Sequence, residues 1–307
     1  PLFSNDDVII PALVKFGYEK TDAYNYVVSA CWEPHIAGVS FDQNNISTFN
    51  LMVPIQSIFK SKTKINCINS FSEFFNIYLI ELEKYIEYSL KEIQNNLKFK
   101  AAPLLSLLTG CNKIDISQGG AKYNNLGFLT VGLSNAVDSL LNIKRTFEAS
   151  TYTSLLKVRE ILLSNFKGNE DLFYNFKMNG KKFGDDEEDV INITNILIDR
   201  TTKVLEKYRN PFGGKYKIGL SSNGFVEFGK QINASVDGRK AGEPLGVHVS
   251  FTHKEVNYIS LFNFSSQLNY QQAFNGAVTD IIIDYGFLIR NLNNFLFLFS
   301  NQMKWNS

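Results

Sequence analysis

The chain is poor in cysteine, nearly neutral and free of long apolar runs, and each shortage removes a class of function. Its 3 cysteines, Cys31, Cys67 and Cys111, lie far apart, with no C-x-x-C pair and no Cys/His cluster. That spacing excludes a disulfide framework and a structural zinc site, leaves reduced thiols as the default, and predicts no bound metal. With 31 basic against 30 acidic residues the net charge is +1. Nothing in that balance forms the footprint for a phosphate backbone, so no nucleic-acid partner is expected. The most apolar stretch, FLIRNLNNFLFLF, is broken by Arg290 and several asparagines and is too short and too polar to span a bilayer. The opening PLFSNDDVIIPALVKF carries acids where a signal peptide needs a basic segment. A cytoplasmic location is therefore expected. The start at Pro1 rather than methionine fits a trimmed, processed or partial product.

What is present points to a folded unit. The apolar share of 44% supports a buried core. Glycines, prolines and short polar clusters punctuate apolar segments throughout, without repeats or low-complexity tracts, which reads as one mixed α/β unit over residues 1–307. A long helix is predicted from about Ser70 to Leu97. Ser70 and Glu73 make a capping box, and Phe74, Ile77, Leu82, Tyr85, Ile86 and Ile93 form the apolar face. Further helices are predicted from near Gly132, through Thr151–Phe166, after the acidic run 185–189, and from Asp280 to Phe299. The acidic run reads as a solvated helix start, because adjacent acids point in different directions and complement the helix dipole. SVDGRKAGEPLG reads as a loop, with Asp237 and Arg239 holding a turn. Cys67 and Cys111 read as structural thiols. Tyr123 and Asn124 read as packing residues. The aromatic segment from Phe71 to Tyr88 reads as packing, since no basic track accompanies it.

The loop SACWEPHIAGVS carries the chemistry. Cys31 by itself is one small thiol, compatible with simple burial. Glu33 follows two residues later, and Pro34 stiffens the chain and biases Glu33 towards an extended conformation. A thiol and a carboxylate on one short rigid loop can reach the same substrate carbon and hydroxyl. That pairing suits hydrogen-atom abstraction combined with general-base chemistry. His35 is a candidate substrate-binding residue, with a packed or solvent-facing ring as the other reading.

ACWEPHIAG resembles the active-site loop of the pyruvate formate-lyase superfamily of glycyl radical enzymes, in its dehydratase-type Cys-x-Glu-Pro branch. The approach SNDDVIIPALVKFGYEKTDAYNYVVSACWEP is similar as well. So are LLSLLTGC, GGAKYNNLGFLTVGLSNAVDSLLNIK, LLSNFKGNEDL with KKFGDDEEDV, and ASVDGRKAGEPLG. These blocks stand in family order across most of residues 4–247. The resemblance implies a partial ten-stranded α/β barrel, built in the family from two five-stranded halves, with Cys31 on a finger loop inside. It implies that a thiyl radical at Cys31 abstracts hydrogen from a small polar substrate of the diol or amino-alcohol type. It further implies that Glu33 deprotonates the neighbouring hydroxyl in a dehydratase or lyase reaction, in an anaerobic cytoplasm. No cofactor is expected to be bound by the chain. The radical is expected on a glycine of a missing segment, installed by a radical S-adenosylmethionine activating enzyme. That enzyme, the remainder of the protein or a separate radical-bearing subunit, and a second copy in a homodimer are the implied partners.

Departures from the family pattern qualify this. The radical-bearing R-V-x-G-Y loop is absent from the sequence, and NQMKWNS resembles the strand that precedes it in the family. Ala30 stands where formate-lyases proper carry a second cysteine, which argues against formate C-acetyltransferase activity. Trp32 replaces the small aliphatic residue usual in dehydratases, and LMVPIQS departs from the family's L-E-L type block. Three readings therefore stay open. The chain is part of an active glycyl radical enzyme, or a catalytically silent relative serving as a binding or assembly module, or an unrelated α/β enzyme using Cys31 as an ordinary nucleophile.

Overall fold

The structure is a computed structural model describing residues 6–29, 32–110, 113–148, 154–222, 224–252 and 257–297. Its centre is a parallel sheet of three strands in the order β3 (Gln43–Asn50), β4 (Leu126–Val131) and β5 (Tyr216–Gly219), preceded in the chain by a hairpin of β1 (Tyr26–Val28) and β2 (Pro34–Ile36). Every residue of LGFLTV and YKIG is buried, as expected of parallel strands covered on both faces. Beyond β5, Leu220 bridges Ala277 in parallel, and Asn275 N–H donates to the Ile218 carbonyl at 2.9 Å. A further segment thus lies along the free edge of β5. The α/β class expected from the sequence is present; of the expected partial ten-stranded barrel the described residues show three parallel strands and no closure.

The two faces of the sheet differ in chemistry. One carries aromatic side chains: Phe49 stacks on Phe128 at 4.7 Å between centroids, and Phe128 meets Tyr216 at 5.7 Å. Helix Phe71–Asn96 covers this face. Its Tyr85 hydroxyl accepts from Asn50 N–H at 3.2 Å, and Gln94 Nε2 donates to the Tyr216 hydroxyl at 2.9 Å. The register pairs Gly127 with Lys217 and Leu129 with Gly219, and these residues take the opposite face.

The long helix forms within a residue of its predicted ends. Ser70 Oγ accepts from Glu73 N–H at 3.2 Å, while the Glu73 carboxylate reaches Asn69 N–H at 2.7 Å rather than that of Ser70. Its buried stripe is Phe74, Tyr78, Leu79, Leu82, Ile86 and Leu90. Ile77, Tyr85 and Ile93 sit at the margin, so the buried face is turned slightly from the predicted one. Each fully buried apolar side chain on it contributes roughly 1.5–3 kcal/mol. Helix Leu133–Glu148 follows Gly132 as predicted, and helix Glu188–Glu206 begins within the acidic run, with Glu188 and Asp189 in its first turn. The acids there are paired as well as solvated: Asp189 lies 2.7 Å from Lys144, and Glu187 lies 3.1 Å from Lys181.

Two helices differ from prediction. The one expected through Thr151–Phe166 spans Leu155–Leu163, starting at the Ser154 cap and ending before the left-handed Asn165 and Phe166, with residues 151–153 outside the described set. The last helix begins at Tyr285, not Asp280. Upstream, Val278 accepts from Val249 N–H at 2.8 Å and Asp280 N–H donates to Ser250 Oγ at 3.1 Å, which holds that segment extended. The Asp284 carboxylate then caps the helix through Phe287 N–H at 2.7 Å. Among the described residues, no helix is long and apolar enough to cross a membrane.

Candidate active site

The hairpin places Glu33 on the polar face of the sheet. Tyr26 pairs with Ile36 and Val28 with Pro34. Ser29 N–H donates to the Glu33 carbonyl at 3.0 Å, and Trp32 N–H donates to the Ser29 carbonyl at 3.0 Å, so the tip is closed by its own backbone. Cys31, the expected hydrogen-abstracting residue, lies outside the described residues, between Ser29 and Trp32. Trp32 has a φ of +66°, a conformation a bulky side chain adopts only when the surroundings enforce it. The Glu33 side chain accepts from Ser29 Oγ, and Glu33 is only 3% exposed. That shielding suits chemistry that must be screened from water.

Gly276 is what lets the tip sit so close. Its φ is +89°, and a Cβ there would lie 2.5 Å from the Trp32 carbonyl oxygen and 3.5 Å from the Glu33 Cα. The segment is held in turn by β5, since Leu220 N–H donates to the Gly276 carbonyl at 2.8 Å. The hairpin therefore rests on bare backbone at the carboxyl end of β5. Open α/β sheets collect ligands at the carboxyl ends of their strands.

Beneath the hairpin lies a buried charge pair that sequence reasoning missed. Lys217 Nζ lies 3.3 Å from Asp42 Oδ2, 3.2 Å from the Tyr18 hydroxyl and 3.4 Å from the Pro34 carbonyl. Asp42 also accepts from Asn125 N–H at 2.8 Å and from the Tyr18 hydroxyl, and Asn125 Nδ2 donates to that hydroxyl at 3.0 Å. Burial pulls the Lys217 ammonium below its ordinary range against the field of Asp42, and burial pushes the Tyr18 phenol well up, reinforced by the same carboxylate. The pair ties β5 and the start of β3 to the residue that follows Glu33. A sequence signal did exist: a lysine inside the strand YKIG, between the apolar neighbours Tyr216 and Ile218.

His35 sits beside Glu33 in sequence but turns to β3. Asn44 Nδ2 lies 3.1 Å from His35 Nε2 and donates to the Pro34 carbonyl at 3.0 Å. Burial, then the charge of Lys217, lower the imidazole pKa. A second histidine, His248, comes within the field of Glu33 from the loop after GRKAGEPLG, and no sequence signal marked it.

The predicted Asp237–Arg239 turn exists, but an intermediary joins the two. Asp237 accepts from Ser235 Oγ at 2.5 Å and from Asn135 Nδ2 at 2.6 Å, while Arg239 Nε donates to Ser235 Oγ at 3.2 Å. The guanidinium also donates to the carbonyls of Ile232, Asn233, Lys240 and Glu243. Gly238 takes a φ of +77° in this turn and packs on the backbone of Lys177. Cys67 is exposed at the end of helix Lys62–Asn66, so it does not pack as a structural thiol, and Cys111 lies outside the described residues. Tyr123 binds Asp22 Oδ2 through its hydroxyl at 2.7 Å. Among the described residues, no group of His, Cys, Asp and Glu could hold a metal ion.

Comparison with known proteins bears on this arrangement. A family model described as pyruvate formate lyase-like matches residues 1–229. The probable dehydratase YbiW of Escherichia coli K12 is 27% identical over an alignment of 282 residues that covers 80% of this chain and 34% of that protein. The glycerol-bound B12-independent glycerol dehydratase from Clostridium butyricum superposes with a TM-score of 0.87 at 27% identity, over 100% of this chain and 42% of that one. A Roseburia inulinivorans structure concerned with 1,2-propanediol dehydration superposes with a TM-score of 0.89 at 26% identity, over 99% of this chain and 42% of that one. The chain thus spans about a third of the curated relative's length.

Proposed function

The chain belongs to the pyruvate formate lyase-like family, and from that membership we propose that it is the portion of a glycyl radical dehydratase or lyase that carries the thiol and the base. The observation that carries the reading is Glu33, 3% exposed and seated on the backbone of Gly276 at the mouth of the sheet. The small polar substrate is of the diol or amino-alcohol type, supported by likeness to proteins concerned with glycerol and 1,2-propanediol. As a thiyl radical, Cys31 takes a hydrogen atom from a substrate carbon, and the Glu33 carboxylate takes the proton of the hydroxyl on that carbon. The group on the adjacent carbon then departs with that proton as water or amine, and the product radical recovers the hydrogen atom from the Cys31 thiol. Ser29 and the closed tip fix the Glu33 carboxylate, and Lys217 with Asp42 hold the hairpin at Pro34. His35, beside the base, contributes to the wall of the substrate site.

A glycyl radical on residues beyond this chain supplies the oxidising equivalent that readies the Cys31 thiol. A radical S-adenosylmethionine activating enzyme is the required partner, an anaerobic cytoplasm the setting, and a homodimer the proposed assembly. The remainder of the protein completes the ten-stranded barrel around the hairpin.

The test is anaerobic co-expression of the full-length protein with its activating enzyme, then incubation with a panel of C2–C4 diols and amino alcohols while aldehyde formation is followed. Turnover is expected to vanish in Cys31→Ser and to fall by about 10²–10⁴-fold in Glu33→Gln. A radical-bearing protein whose turnover ignores both substitutions, or one that dehydrates none of the panel, removes the reading.

A further inference from the structure

His248 has a φ of +54°, in the left-handed region that few residues other than glycine adopt, histidine more readily than most. Such backbone persists where surrounding contacts over-determine it, and it gathers at functional sites. The contacts are visible on both sides. Ser222 N–H donates to His248 Nδ1 at 3.1 Å, and the next residue, Val249, is tied by its N–H to the Val278 carbonyl at 2.8 Å. Ser222 lies two residues beyond Leu220, which grips Gly276, the residue on which Glu33 rests. The strained histidine and the buried carboxylate therefore share the carboxyl end of β5.

The hydrogen bond from Ser222 settles the ring's chemistry. A nitrogen that accepts from an amide carries no proton, so a neutral His248 ring holds its proton on Nε2. Nε2 lies 3.9 Å from Asp280 Oδ2, beyond hydrogen-bond length, and the side chain is 16% exposed. Asp280, from the segment after Gly276, and Glu33, from the hairpin, are the charged groups acting on it, while burial favours the neutral form. His35 is differently placed, with its Nε2 against Asn44.

We infer that His248 is the substrate-orienting partner of Glu33, its Nε2–H donating to one substrate oxygen while Glu33 accepts from a neighbouring hydroxyl. This rests on the reading of Glu33 as the base of the site. Two groups of opposite hydrogen-bonding character at one strand end suit a substrate with two adjacent oxygen functions, and only a histidine pinned at Nδ1 keeps its donor fixed.

The full-length protein in its resting form, without any radical, is sufficient for the test. Ring-nitrogen NMR of histidine-labelled protein, assigned by the signal lost in His248→Gly, reads the tautomer and the titration. The inference expects an unprotonated Nδ1 and a His248 titration that moves to lower pH in Glu33→Gln, since a negative neighbour is removed. A proton on Nδ1, or a titration indifferent to Glu33→Gln, overturns it. Calorimetry with vicinal diols of two to four carbons then reads binding. His248→Gly is expected to bind about tenfold more weakly than wild type, with partial recovery in His248→Gln, whose amide also donates. Glycine relaxes the backbone at this φ, so a weakened but fully folded His248→Gly cannot be ascribed to unfolding. Unchanged affinity in His248→Gly overturns the inference. If wild type binds no diol while the tautomer and the Glu33 dependence hold, the diol reading falls and the pairing of His248 with Glu33 stands.

Discussion

Lys217 Nζ lies 3.3 Å from Asp42 Oδ2 with neither side chain exposed to solvent. The pair is stable there because its remaining hydrogen-bonding capacity is met by Tyr18, Asn125 and the Pro34 carbonyl. Removing one member leaves the other charge buried and uncompensated. Lys217→Met is therefore expected to cost about 3–5 kcal/mol, read from chemical denaturation. A loss below about 1 kcal/mol would mean that the network adds nothing to folding.

Gly276→Ala tests the seat of the hairpin. The added methyl would meet the Trp32 carbonyl at 2.5 Å, at a φ of +89° that alanine adopts with strain. The tip must lift, and Glu33 with it. A displacement of about 1 Å at the reacting group is expected to lower turnover by about 10²-fold. Unaltered turnover in a folded variant would show that the tip position is not what matters.

Asp138 offers a pH signature. It is buried, accepts from Phe183 N–H at 2.7 Å and from Thr252 Oγ1 at 3.0 Å, and burial raises its pKa from the ordinary 3.8 to about 6. A raised carboxyl stabilises the fold in its protonated form, fully below about pH 4, and that contribution is lost as pH rises through 6. Between pH 4 and 7 the wild type should lose about 2–3 kcal/mol more stability than Asp138→Asn. Parallel stability profiles for the two proteins would refute the shift.

Arg239 tests the GRKAGEPLG turn. Its guanidinium serves four backbone carbonyls and Ser235 Oγ while 5% exposed. An ammonium lacks that planar fork and cannot satisfy the same set. Arg239→Lys is expected to cost about 2–4 kcal/mol in thermal or chemical unfolding, although charge is conserved. A near-neutral result would place the turn's stability in the Asp237–Asn135 bond instead.

Much was legible before the structure because it depends on neighbours in the chain. The Ser70 cap and the apolar spacing behind it are local, and the long helix formed within a residue of its predicted ends. Pro34 restrains Glu33 directly, and the Cys-x-Glu-Pro loop together with the order of the other blocks that resemble the family pointed to it. The slight rotation of the buried helix face was not readable, since it depends on which side of the helix the sheet approaches. The overlong final helix was a local inference defeated by tertiary bonds, as Val249 and Ser250 hold the segment before Asp284 extended.

The sequence by itself determined the long helix, the family and Glu33 as the candidate base, because cap, period and motif act over a few residues. Only the tertiary structure decided what surrounds that base. Lys217 is 175 positions from Asp42, Gly276 comes from a distant segment that packs against Trp32 and Glu33, and His248 is held by Ser222 beyond the end of β5. The desolvation that lowers the Lys217 pKa, the close approach that requires glycine at 276 and the proton placement on His248 all arise from contacts between remote segments. No local pattern in the chain records such contacts.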